Sequence, residues 1–309
     1  MSRWPPLDRP LVSVRHLGAV LALPPERLQS LAGKAEDLYD PFMLPQLKNG
    51  RWKERPIDNP DEELKAVQKR IKERLLDTLV FPPFMCGGVR KGSTQANARP
   101  HVRQPEVVAL DIKNFFGHVS NLQVAKVWHE HFNASNEVAW LLTRLTTYRG
   151  HLPQGAPTST ALANLVILPV VKGLALLCRV RGVNLTIYVD DITVSGRGAR
   201  QAIPIVANAL SAKGFKLARN KVKIMPANAR QEVTGHTVNR KLSNGRELLA
   251  RARQETLRAI GPEGTERDLQ RARGLLAHIC GTSASQGAWL KRRIEHAVGP
   301  GPRAQATGT

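Results

Sequence analysis

Two adjacent carboxylates end the string Tyr188-Val189-Asp190-Asp191, which follows the short apolar run Leu185-Thr186-Ile187 and precedes a second β-prone run, Ile192-Thr193-Val194, closed by Ser195-Gly196. Apolar stretches on both sides of a turn-forming Asp pair predict a β-hairpin with charge at its tip. A third acid, Asp111, ends the run Val107-Val108-Ala109-Leu110 in a matching way. Clustered carboxylates are costly unless a cation neutralises them. Three of them on strand ends can hold two divalent metals about 4 Å apart, the geometry of in-line displacement at phosphorus.

Charge supports a polyanionic partner. The 309 residues carry 46 Lys+Arg against 25 Asp+Glu, a net of +21 with a pI near 10.7. Such an excess opposes compaction unless nucleic acid or an anionic surface balances it. A membrane is not expected, because the most apolar stretch, Ala161 to Val180, contains Asn164, Pro169, Lys172 and Arg179. The N-terminus has no apolar signal region, and Cys86, Cys178 and Cys280 lack paired spacing, so a cytoplasmic protein with reduced thiols is expected. From Gly214 onward, 18 Lys+Arg face 7 Asp+Glu, a net of +11, which makes that end a candidate cradle for a phosphate backbone.

Residues 1–60 are proline-rich, with a short helix expected from Pro24 to Leu38. Asp61 to Leu79 reads as an amphipathic helix on the stripe Leu64, Val67, Ile71, Leu75 and Leu79. Helices are expected over Thr94–Arg103, Asn121–His131, Asn136–Thr147, after Pro157, and over Ala199–Lys213. Short strands are expected at Phe215–Leu217 and Val222–Met225, with a hairpin at Val233–Val238. Arg246 to Val298 reads as basic helices and 299–309 as a disordered tail. Strands and helices interleave without regular βαβ alternation, so an α+β architecture is predicted.

The order of motifs resembles a reverse transcriptase over about residues 39–240. Lys53-Glu54-Arg55-Pro56-Ile57 and Gly88-Val89-Arg90-Lys91-Gly92 resemble its fingers motifs. Ala109-Leu110-Asp111-Ile112-Lys113-Asn114-Phe115-Phe116, Leu152-Pro153-Gln154-Gly155, Tyr188-Val189-Asp190-Asp191, and Gly214-Phe215-Lys216-Leu217 with Asn220-Lys221 resemble palm motifs A to D. Asn97-Ala98-Arg99-Pro100-His101 fits the NAxxH pattern and Val233-Thr234-Gly235 the VTG triplet, both typical of retron reverse transcriptases. Gly117-His118-Val119-Ser120 departs from the string that retrons more often carry there. The resemblance implies a right-hand polymerase. An N-terminal segment (1–38) would precede fingers and an antiparallel palm with helices (39–240), then a basic helical thumb (241–298).

It also implies roles. Asp111, Asp190 and Asp191 would hold two Mg²⁺ ions, with Asp191 partly electrostatic. Phe116 would pack on the sugar of the incoming dNTP, although Phe115 could exchange roles with it. Arg55, Arg90 and Lys91 would clamp triphosphate, and Gln154 and Gly155 would lie along nucleotide or template. Lys221 would protonate pyrophosphate, a role that Lys223 could share. Asn97, His101, Val233, Thr234 and Gly235 would bind RNA. The bland alternatives are a helix cap with a surface histidine and an ordinary tight hairpin. The implied partners are dNTPs, a retron noncoding RNA serving as primer and template, an RNA–DNA hybrid product, and an effector protein, in anti-phage defence. Two other readings are a reverse transcriptase of another bacterial type and a non-catalytic RNA-binding scaffold.

Overall fold

The structure is a computed structural model that describes residues 10–48 and 51–298; the expected tail lies outside the described residues. Helix α1 (Val14–Leu21) is capped by Ser13 and α2 (Pro25–Gly33) opens on a proline suited to a first turn. Their apolar faces enter the main core, and the segment before α1 is tied in by Leu11 N–H to Phe132 O and Ser135 N–H to Leu11 O. The N-terminal segment therefore shares its core with the palm. Sequence periodicity does not announce α1, because eight residues give the repeat too few turns.

A long hairpin follows, β1 (Tyr39–Lys48) with β2 (Arg51–Pro60), in antiparallel register from Tyr39↔Pro60 to Lys48↔Arg51. Pro41, Pro45 and Pro56 obscure it in the sequence. They are tolerated because both strands are edges, where a missing N–H need not interrupt a central ladder. Helix α3 (Glu62–Arg74) begins at Asp61, whose carboxylate accepts from Leu64 N–H at 2.7 Å, and it buries Leu64, Val67 and Ile71 as the stripe predicts. It ends five residues short of the expected Leu79, in a 3₁₀ turn at Leu76–Thr78.

Helix α4 (Thr94–Ala98) is short, and the chain tightens into a 3₁₀ turn, Arg99–His101, at Pro100. Strand β3 (Glu106–Asp111) leads through α5 (Asn121–Phe132) and α6 (Asn136–Thr146) to the 22-residue α7 (Ser159–Val180). By length and composition alone α7 could cross a membrane, but 56% of its most apolar window is buried inside the protein. Strands β4 (Asn184–Tyr188) and β5 (Asp191–Ser195), helix α8 (Ala202–Ser211) and strand β6 (Lys223–Pro226) complete the palm. Its sheet order is β4-β5-β3-β6, antiparallel throughout. Phe215–Leu217 does not form the expected strand. Gly214 turns the chain at φ +82°, and only Leu217 bridges to the sheet margin, at Ile112.

Beyond the palm, β7 (Glu232–Val233), β8 (His236–Thr237) and β9 (Ser243–Asn244) make a small antiparallel sheet. Helices α9 (Arg246–Ala259), α10 (Glu266–Thr282) and α11 (Ala284–Val298) form a bundle with small cores of its own, around Ala252, Ile279 and Leu290 and around Leu269, Ala272 and Ile294. Arg253 and Arg293 lie over the Trp289 ring, 5.9 and 5.5 Å from its centroid.

Candidate active site

The β4–β5 hairpin closes in two residues, Val189 and Asp190, with Tyr188 paired to Asp191. The turn is thus centred one residue earlier than the Asp pair suggests, and Asp191 opens β5. Val189 has φ +62° while Asp190 does not turn positive, the signature of a II′-type hairpin. A β-branched residue there is strained. Gly87 supports it from outside: a Cβ at Gly87 would lie 2.5 Å from Val189 N and 2.7 Å from Tyr188 C. The segment before it is stitched to β4 by Cys86 N–H to Ile187 O and Ile187 N–H to Phe84 O, each 2.7 Å. Sequence reasoning gave only Gly88–Gly92 a role, as a fingers motif, and missed Gly87 as backing for the acidic turn. Gly87→Ala should displace the turn by an appreciable fraction of an ångström. Misplacement of about 1 Å costs roughly a hundredfold in rate, so primer extension should fall by about tenfold to a hundredfold with little change in thermal midpoint. An unaffected rate would refute the backing role.

Asp111 stands opposite Asp191 in the β3–β5 register, so both side chains leave the same face of the sheet. Ile112 N–H donates to Asp190 O at 3.0 Å, which fixes the turn beside the end of β3. Burial pushes the Asp190 carboxyl above the usual carboxylate range, and the charge of Asp111 pushes it the same way; Lys221 and Arg55 pull it back. Lys221 Nζ donates to Asp111 Oδ2 at 2.7 Å, while Asp111 Oδ1 is buried with no hydrogen-bond partner. Of the two lysines considered for this place, Lys221 makes the contact; Lys223 lies opposite Ala109 in β6. Among the described residues no three His, Cys, Asp or Glu side chains gather closely enough to hold one ion. The orphaned Asp111 oxygen and the strained ionisation of Asp190 nonetheless mark a place where a cation would be stabilising.

Phe115 and Phe116 are distinguished by packing. Phe115 is buried and meets Phe215 edge-on at 5.4 Å, whereas Phe116 is half-exposed at the start of a 3₁₀ turn. The strand β2 is joined to the motif B loop. Arg55 Nε donates to Gln154 Oε1 at 3.0 Å, Asp58 N–H to Gln154 O at 2.8 Å, and Gln154 N–H to Asp58 Oδ2 at 3.0 Å. Gly155 has φ +135° and a Cβ there would stand 3.0 Å from Asp58 O and Ile57 Cγ2. Its close approach is therefore to β2, where close approach to nucleotide or template was expected. Arg90 and Lys91 are exposed and line a cavity of about 520 Å³ with Phe81, Met85 and Cys86. Among the described residues, no hydrogen bond or ion pair joins either of them to Asp111 or Asp190.

Asn97 and His101 require a correction. Both are fully buried, so direct RNA contact by their side chains and the surface-histidine alternative are both ruled out in this conformation. Thr186 Oγ1 donates its one hydrogen to Asn97 O at 3.1 Å, so at 2.7 Å it must accept from His101 Nε2. His101 Nδ1 then accepts from Ser195 Oγ at 2.6 Å. Burial lowers the His101 pKa to about 4, consistent with this neutral tautomer. The ring thereby bridges β4 and β5 behind the acidic turn. Asn97 Nδ2 continues the chain to Thr234 Oγ1 at 3.4 Å, and Thr234 Oγ1 donates to Thr94 O at 3.2 Å.

Thr234 and Gly235 both have positive φ, 45° and 81°, the I′ geometry of a two-residue hairpin. The two strings therefore form one hydrogen-bonded unit that ties the acidic hairpin to a strained outer turn. Val233 is buried too, leaving Gly235 as the exposed member of the triplet. Thr94, Thr186 and Ser195 were missed, and their one sequence signal is a hydroxyl within otherwise apolar strands or at a helix start.

An antiparallel palm sheet with acids at its central strand end and hairpin, joined to a helical bundle, defines a right-hand polymerase fold. Residues 46–238 match the family described as reverse transcriptase (RNA-dependent DNA polymerase), and the chain belongs to that family. It is 31% identical over 277 residues to the Retron Mx65 reverse transcriptase of Myxococcus xanthus, covering 82% of this chain and 64% of that protein. It is 30% identical over 186 residues to the Retron Se72 reverse transcriptase of Salmonella heidelberg, covering 60% and 48%. With the Retron Ec86 reverse transcriptase of Escherichia coli it shares 28% over 258 residues, covering 82% and 79%. The chain thus spans less than two thirds of the first two relatives. A solved telomerase chain from Candida albicans aligns with 86% of this chain and 61% of its own length, at TM-score 0.47 and 10% identity.

Proposed function

We propose that this chain is an RNA-directed DNA polymerase of the retron type. The observation that carries the reading is the placement of Asp190 beside Asp111, with Asp191 opposite, in a chain of the reverse transcriptase family. Asp111, Asp190 and Asp191 would hold two Mg²⁺ ions. When bound, such ions lower the pKa of the primer hydroxyl and neutralise the triphosphate. Lys221 carries a proton at Nζ within reach of Asp111, suited to transfer to the leaving pyrophosphate. Arg55 orients Gln154 and faces Asp190, so its charge serves triphosphate on the acid side; Arg90 and Lys91 would add charge from the fingers loop.

The finer part of the proposal follows the retron relatives. A structured noncoding RNA would be primer and template, synthesis would begin at the 2′-hydroxyl of an internal guanosine, and the product would be a branched RNA–DNA hybrid. Anti-phage defence with a separate effector belongs to the same proposal. Its test is to sequence nucleic acid that co-purifies with the protein and treat it with a 2′–5′ debranching enzyme. One RNA species joined to complementary DNA is expected. Unbranched DNA primed at many unrelated sites would leave a general reverse transcriptase and remove the retron reading.

Two further results are expected. Phe116→Ala should raise ribonucleotide use relative to dNTPs by at least about tenfold, 1.4 kcal/mol of discrimination. Phe115→Ala should instead destabilise the core by about 3–5 kcal/mol; the reverse assignment would shift the sugar gate to Phe115. Duplex affinity should fall with a log–log salt slope of about −5, as release of counterions from five or six phosphates requires. A slope near zero would remove the basic thumb from backbone binding.

A further inference from the structure

A helix as apolar as α7 is expected to be buried all round. Its last turns are not: Leu176, Leu177 and Val180 are 64%, 43% and 77% exposed. Leu177 lies at the join of two cavities between α7 and α8, of about 150 and 430 Å³, that share Leu174 as well. Together they run from Pro169 to the C-terminal end of α7, about 16 Å at 1.5 Å per residue, or three helical turns. Arg181, Arg197 and Lys213 line the groove, and among the described residues no acid does. Val183 and Gly198 place its end at the beginning of β4 and beyond the end of β5, the opposite end of the hairpin from Asp190. The groove is thus separate from the acidic site.

We propose that this face docks an acidic amphipathic helix of a partner protein. Three turns of apolar groove accept side chains at i, i+3 or i+4, and i+7, the pattern of helix-in-groove recognition. Cations along the groove select acids flanking that stripe. A second copy is disfavoured because each carries +21, and the chain's own residues 299–309 contain Arg303 and no acid.

The test uses the full chain, cleared of nucleic acid, and fluorescein-labelled synthetic peptides of about sixteen residues. One places Leu along a single helical stripe between Glu flanks. A second scrambles the same composition, and a third replaces Glu with Lys. Anisotropy should show the first binding at least tenfold more tightly than either other. Leu176→Asp/Val180→Asp, at exposed positions, and separately Leu177→Asp should weaken it at least tenfold without changing primer extension. Arg197→Glu should weaken it and flatten its salt dependence.

Equal binding of the scrambled peptide, or retention of affinity in the Asp variants, overturns the proposal. So does a concentration-dependent dimer in sedimentation that Leu177→Asp dissolves, which would assign the face to a second copy. Competition by duplex RNA, lost in the same Asp variants, would assign it to nucleic acid and likewise overturn it. The binding and sedimentation readouts do not depend on polymerase activity.

Discussion

Asp190→Asn should reduce Mg²⁺-dependent DNA synthesis on a primed RNA template by at least about a thousandfold, or about 4 kcal/mol of transition-state stabilisation. The same change should leave the folded protein as stable as before or more so. Asp190 sits in the hairpin turn, where burial and the nearby charge of Asp111 raise its pKa. An acid whose folded pKa lies above its unfolded value binds protons better when folded, so at neutral pH its ionised form opposes folding. Asparagine keeps the shape and removes that opposition. It also removes the oxygen charge that a cation would need, leaving only the chain's hydrogen bonds at the turn. Stability and activity are therefore predicted to move in opposite directions, a combination that misfolding cannot produce. Primer extension and urea unfolding on the same preparation would measure both. Wild-type-like extension would remove Asp190 from the metal site; a loss of stability matching the loss of rate would make its role structural.

The palm was legible in the sequence because its signals are local. Leu185-Thr186-Ile187 and Ile192-Thr193-Val194 flank a turn, and each run pairs as expected in the β4–β5 hairpin. Asp111 could be matched to the hairpin acids because it ends a strand, and the register places it opposite Asp191. The exact turn centre was not legible, since Val189 at φ +62° contradicts β-branched preference. Gly87 supplies the reason in three dimensions, through a contact a hundred residues away in sequence. The β1–β2 hairpin was hidden for another reason: its prolines argue against a central strand, and only the free edges on both sides make them harmless.

The NAxxH and VTG strings show the opposite limit. Their residue types suggested surface chemistry, yet Asn97, His101 and Val233 are buried. A polar residue in a motif reads alike whether it reaches solvent or a neighbouring hydroxyl. What distinguishes the two is the partner set, and Thr186, Ser195 and Thr234 come from three separate strands or turns. The groove on α7 was also illegible, because an apolar run does not reveal which of its faces remains uncovered.

The buried histidine gives the second large expected effect. His101 has a folded pKa of about 4 against an ordinary value of 6.5. The unfolded chain therefore binds a proton in a range where the folded protein does not, so stability is fully present above pH 6.5 and falls as the pH drops toward 4. Across that window the loss from this one group is on the order of 3 kcal/mol, at 1.36 kcal/mol per pH unit. His131 and His236, whose pKa values burial also lowers, add in the same direction, while the raised pKa of Asp190 acts against them.

His101→Gln isolates the contribution. Its amide can donate toward Thr186 and accept from Ser195, preserving the polarity of the bridge between β4 and β5 while removing the titration. Urea unfolding at pH 7.5, 6.5, 5.5 and 4.5 should show the variant's stability falling with pH by about one proton less than wild type. His101→Ala should be destabilised at every pH, because it leaves two buried hydroxyls without their partner. If His101→Gln and the wild type share one pH slope, the imidazole is not neutral in the folded protein. The directed chain of hydrogen bonds from Ser195 to Thr234 would then be wrong at its centre, since an imidazolium would donate to Ser195 where the neutral ring accepts from it.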